Sequence, residues 1–126
     1  MKLFNKENKI LKDINFLDLV PIIKVDYETL ENGNVNILIP KFKSKKLRDF
    51  IIPKNKSHFI KIKLDELGSR TRISIDNKKD VGNICKEIIE QYAEKDVKIE
   101  DERIIKFISL LYQQKYITFK QLLPST

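Results

Sequence analysis

Between Leu64 and Val81 the hydrophobic period of the chain changes from two to about 3.6, and this switch constrains the fold more than any other feature. Ahead of it, Phe59-Ile60-Lys61-Ile62-Lys63-Leu64 alternates strictly. Ile60, Ile62 and Leu64 point one way; Phe59, Lys61 and Lys63 point the other. Such a strand packs one face on a core and turns the other to solvent or a partner. Behind it, Leu64, Leu67, Gly68, Thr71 and Ile75 recur at helical spacing, which predicts a first helix over 65–75. Gly68 in its middle costs stability relative to Ala, which suggests close packing against a neighbouring element. Asp76-Asn77 ends that helix, because Asn tolerates the left-handed backbone of a C-terminal cap.

The upstream segments read as strands. Ile22-Ile23-Lys24-Val25-Asp26-Tyr27 is β-branched and partly alternating, the pattern of one half-buried strand. Asn32-Gly33 predicts a hairpin whose two turn positions both tolerate positive φ. The return strand is Val35-Asn36-Ile37-Leu38-Ile39, stopped by Pro40. Lys41 to Ser57 is a basic connector, with a short helical turn predicted at 46–52 before Pro53 breaks it. Downstream, Asp80 is an N-cap for a second helix with an apolar stripe of Val81, Ile84, Cys85, Ile88, Ile89 and Tyr92. The acids Glu100-Asp101-Glu102 suit the start of a third helix. Its apolar residues fall on two lines, Ile105 and Tyr112 on one, Ile104, Ile108 and Leu111 on another. One line can face the core while the other walls a groove, or both can be buried. Tyr116 to Phe119 closes the domain as an extended piece. Residues 1–15 form an N-terminal arm or tail, 16–120 a single domain and 121–126 a C-terminal tail. Three strands followed by three helices predict an α+β fold, winged helix-turn-helix-like, with a three-stranded antiparallel sheet.

Charge is distributed unevenly. Residues 1–63 carry 14 Lys/Arg against 7 Asp/Glu, whereas residues 64–126 carry 11 of each. Lys41 to Lys63 holds nine basic residues against Asp49 alone. That field favours an acidic partner, peptide, nucleic acid or lipid headgroup, and equally reads as a solvated loop that keeps the protein soluble. A single cysteine, Cys85, excludes an internal disulfide and suits a buried thiol on the second helix. The single histidine, His58, lacks companions at metal-ligand spacing. Gly33, Gly68 and Gly82 are too scattered to form a phosphate loop. No apolar run reaches the ~18 residues of a membrane span, and no secretory signal follows Met1. The chain is therefore expected to be cytoplasmic, without membrane association, cofactor or enzymatic activity.

The segments Leu64-Asp65-Glu66-Leu67-Gly68-Ser69, Ile75-Asp76-Asn77-Lys78-Lys79-Asp80-Val81 and Glu102-Arg103-Ile104-Ile105-Lys106-Phe107-Ile108 resemble the PqqD family. So do Leu17-Asp18-Leu19-Val20-Pro21 and Ile37-Leu38-Ile39-Pro40-Lys41-Phe42, and the likeness spans about residues 16–119. It departs at Asp76-Asn77, where the family favours Asp-Gly, at Arg72, often aromatic, and at Asp80, a Thr N-cap in the family. The resemblance implies a non-catalytic peptide-binding domain, a recognition element for the leader segment of a ribosomally made precursor peptide. Such domains present the leader to a modifying enzyme, often a radical S-adenosylmethionine enzyme. The leader would add beside Phe59, Ile60, Lys61, Ile62 and Lys63, over a groove walled by Ile104, Phe107, Ile108 and Leu111. Lys61 and Lys63 would steer an acidic leader. A homodimer is left open. The alternatives are a winged-helix nucleic-acid-binding protein and a protein–protein adaptor of an unrelated pathway. The first sits poorly with Glu100-Asp101-Glu102 at the end of the helix that would meet phosphate.

Overall fold

The computed structural model describes residues 15–41 and 59–124. They form an α+β fold of antiparallel sheets and three helices. The strands are β1 (Pro21–Ile23), β2 (Asp26–Thr29), β3 (Val35–Pro40), β4 (Phe59–Lys63) and β5 (Ile117–Phe119). The helices are α1 (Glu66–Ser74), α2 (Val81–Ala93) and α3 (Asp101–Gln113), and 3-10 turns lie at Phe16–Asp18 and Lys120–Leu122. The helical turn expected at 46–52, His58, most of the basic connector and the N-terminal arm through residue 14 lie outside the described residues. The chain divides into two compact units, Val25–Ser69 and the remainder on either side of it.

Within Val25–Ser69 the sheet order is β2-β3-β4, antiparallel throughout. The β2–β3 turn differs from the expected one. Gly33 N–H donates to the Leu30 carbonyl at 3.0 Å and Leu30 N–H to the Asn34 carbonyl at 2.7 Å. Of the turn residues only Gly33 has a positive φ, 88°. This is a three-residue loop in which a type I turn ends on a left-handed glycine, whose twist suits antiparallel strands as a two-residue loop would. Asn32 contributes its side chain instead, Oδ1 accepting from Asn34 N–H at 2.9 Å.

The β3–β4 ladder closes on a hydroxyl. Leu64 N–H donates to the Val35 carbonyl at 3.1 Å, and Val35 N–H donates to Ser69 Oγ at 3.0 Å. The same hydroxyl donates to the Leu64 carbonyl at 3.4 Å. Val35 and Ser69 are both fully buried, so this bridge satisfies main-chain groups that water cannot reach. Asp65 then caps the helix that follows, Oδ1 accepting from Gly68 N–H at 2.8 Å.

In the other unit β1 pairs with β5, Pro21 opposite Phe119 and Ile23 opposite Ile117. The single strand expected over 22–27 is therefore two strands in two sheets. Ile22-Ile23 are adjacent apolar residues that break strict alternation, and they take their partners from the far end of the chain. Asn77 has the left-handed backbone expected of it, φ 65°, and its Oδ1 also accepts from Ile23 N–H at 2.7 Å. Asp80 is the N-cap of α2, Oδ1 accepting from Asn83 N–H at 2.8 Å. Replacing Asp80 with Ala is expected to cost about 1 kcal/mol, read as a lowered midpoint in thermal denaturation.

Val81, Ile84, Cys85 and Ile88 of α2 are buried, as are Ile104, Ile108 and Leu111 of α3. Leu19, Ile117 and Phe119 join them in the core of this unit. The 3-10 turn at Phe16–Asp18 lies close to α2. A Cβ added at Gly82 would meet the Leu17 carbonyl oxygen at 3.3 Å, so a side chain there would press on the turn by a few tenths of an ångström.

Candidate functional site

The hydrogen bond from Leu64 N–H to the Val35 carbonyl fixes the phase of β4. In an antiparallel pair, residues that exchange main-chain hydrogen bonds alternate with residues that do not. With Ile37 opposite Ile62 and Ile39 opposite Ile60, the isoleucines carry the bonds to β3. The N–H and C=O groups of Lys61 and Lys63 consequently turn outward. β4 is the last strand of its sheet, and among the described residues no strand pairs with it on that side.

The two faces of the sheet divide as the alternation predicts. Val35, Ile37, Ile62 and Leu64 lie on one face, with Val35, Ile37 and Leu64 buried. Ile60 shares that face yet is 49% exposed, so the apolar face runs out to solvent at this end of the edge strand. On the opposite face Glu28, Asn36 and Lys63 form a row across three strands. Asn36 Nδ2 donates to Glu28 Oε2 at 2.9 Å, and Lys61 Nζ sits 3.2 Å from the same oxygen. The Asn36 hydrogen bond first, and Lys61 second, hold the Glu28 carboxyl below the usual carboxylate range. Glu28 and Asn36 escaped the sequence reading. A two-residue Asn32-Gly33 loop would pair Glu28 with Ile37; only the three-residue loop sets it opposite Asn36, and the place of Lys61 depends on a register set across the connector.

The residues expected on the helix divide differently. Ile104, Ile108 and Leu111 are core residues with at most 2% exposure, and they offer no surface to a ligand in this conformation. Phe107, half-buried, keeps accessible surface. On the other line of α3, Ile105 and Tyr112 are likewise half-buried, and Tyr112 packs on Phe119. Ile104, Ile108 and Leu111, which the resemblance sets on the groove, form the line that is buried in the core.

A cavity of about 390 Å³ is bounded by Leu17, Gly82, Cys85, Ile89 and Asp101, among others. The Cys85 thiol at its wall is pushed up to about 11, by burial first and by the charge of Asp101 second. It is therefore protonated at neutral pH, when the nucleophilic form would be the thiolate. Among the described residues no three His, Cys, Asp or Glu side chains come together to hold a metal ion. No helix among them is long and apolar enough to cross a membrane. No family model, curated protein or solved structure matches this chain.

Proposed function

We propose that this protein is a non-catalytic peptide-binding module that takes up an extended segment along β4. An open strand edge offers alternating donors and acceptors to a polypeptide in β conformation, the mode by which sheet-edge domains bind peptides. The observation that carries the reading is the outward direction of the Lys61 and Lys63 main-chain groups, beside a half-exposed Ile60. Each backbone hydrogen bond nets only about 0.5–1.5 kcal/mol, so the side chains at the edge supply the rest.

The resemblance to the PqqD family makes the leader segment of a ribosomally made precursor peptide the best-supported ligand. The order of three helices behind an antiparallel sheet is compatible with a winged helix-turn-helix. In that role the protein hands the leader to a modifying enzyme, a radical S-adenosylmethionine enzyme being the first candidate, in the cytoplasm. Titration of ¹⁵N-labelled protein with a candidate leader is expected to shift the amide resonances of residues 59–64 and to protect Lys61 and Lys63 from hydrogen exchange. Shifts confined to the lysine-rich stretch before β4 would indicate charge attraction alone and sink the reading.

A further inference from the structure

We infer, resting on the strand-addition reading above, that the β4 edge selects peptides in which acidic and apolar residues alternate, the acids facing Lys61 and Lys63. The argument is one of register. In an antiparallel added strand, the residues opposite Lys61 and Lys63 form the hydrogen-bonded pairs, and their side chains project onto the Glu28–Asn36 face. The residues opposite Ile60 and Ile62 form the non-hydrogen-bonded pairs, where side chains approach most closely. They project onto the Ile37 face, where Ile60 is 49% exposed. The edge thus reads acid, apolar, acid, apolar opposite Lys63, Ile62, Lys61 and Ile60 in turn.

Charge on the sheet gives this preference a direction. The face that carries Lys61 and Lys63 at one edge carries Asp26 and Glu28 at the other, so an acidic strand is drawn to β4 and repelled from β2. Lys61 already shares Glu28 at 3.2 Å, whereas Lys63 has no ion pair among the described residues. Lys63 is therefore the stronger reader of the two. The same lysines disfavour a second copy of the chain as occupant. The fullest antiparallel pairing of two β4 strands, centred on residue 61, sets Lys61 against its own equivalent, and like charges directly opposite destabilise a sheet.

Three synthetic peptides of equal length test this on the full chain. One alternates Asp and Leu, one holds the same residues as an Asp-Asp-Leu-Leu repeat, and one alternates Asn and Leu. Amide shifts of residues 59–64 report binding. The alternating acidic peptide is expected to bind about tenfold more tightly than its Asn counterpart, about threefold for each cross-strand charge pair, and more tightly than the blocked repeat. The Lys61→Glu/Lys63→Glu variant is expected to reverse the preference toward an alternating Lys-Leu peptide. Equal affinity for the Asp and Asn peptides, with shifts still centred on Lys61 and Lys63, overturns the charge selection and leaves strand addition standing. Silence of these amides toward all three peptides overturns strand addition as well. Concentration-dependent self-association through the same amides assigns the edge to a second copy and overturns the selection.

Discussion

Lys61→Pro is expected to abolish peptide uptake while leaving the β2–β3–β4 sheet in place. Proline lacks an N–H, and its ring would occupy the space through which an added strand reaches the edge. At most strand positions that change also removes a ladder bond, but here the Lys61 N–H turns away from β3, whose bonds are made by Ile60 and Ile62. Edge strands tolerate proline when the missing donor would have faced outward. The lost hydrogen bond is worth about 0.5–1.5 kcal/mol, and exclusion of the neighbouring backbone adds to it, so affinity falls by more than about tenfold. Lys61→Ala separates charge from backbone, since it removes the ammonium and keeps the donor. Its loss should be limited to about threefold, one cross-strand charge pair. Isothermal titration with the candidate leader gives both affinities, and far-ultraviolet circular dichroism shows whether the sheet persists. Equal binding by the two variants would mean that no strand adds at Lys61.

How far such a site can be read without coordinates depends on the range of the interactions that define it. The parity of β4 was legible because alternation is a property of neighbours: Ile62 and Leu64 share a face, Lys61 and Lys63 the other. Asn77 and Asp80 were legible for the same reason, each meeting a local backbone demand with its own side chain. The turn at Gly33 was found but its type was not, because Asn-Gly serves both two-residue and three-residue loops. The division of the 22–27 segment between two sheets was out of reach, since β1 finds its partner in β5 at the other end of the chain. So was the side of α3 that is buried. Periodicity groups Ile104, Ile108 and Leu111 on one line, but only the packing of other elements decides whether that line meets solvent. Glu28 belongs to the same class, because its contact with Lys61 requires three strands in register. The place of β4 at the end of its sheet was thus legible, and the burial of Ile104, Ile108 and Leu111 was not.

Phe119 joins several elements of its unit, a role that the linear pattern conceals. Phe119 ends the three-residue strand β5, opposite Pro21 of β1, and is fully buried. Its ring meets Phe16 edge-on, centroids 5.7 Å apart at 78°, and Tyr112 at 5.0 Å with a 31° tilt. It therefore ties a 3-10 turn near the start of the domain and the last turn of α3 to a sheet of only two strands. A two-stranded sheet is marginal alone in water, so β1 and β5 hold their places through this packing more than through their own hydrogen bonds. Phe119→Ala removes the buried ring and leaves a cavity between those elements, a change that costs about 3–5 kcal/mol. Domains of this size are stable by only about 5–15 kcal/mol, so the variant should unfold at much lower denaturant or fail to fold. Urea denaturation of Phe119→Leu, which keeps much of the volume and forgoes the aromatic edge contacts, should show a smaller loss. Parity between the Ala and Leu variants would show that the cavity collapses at little cost, and that β5 is held by its main-chain pairing after all.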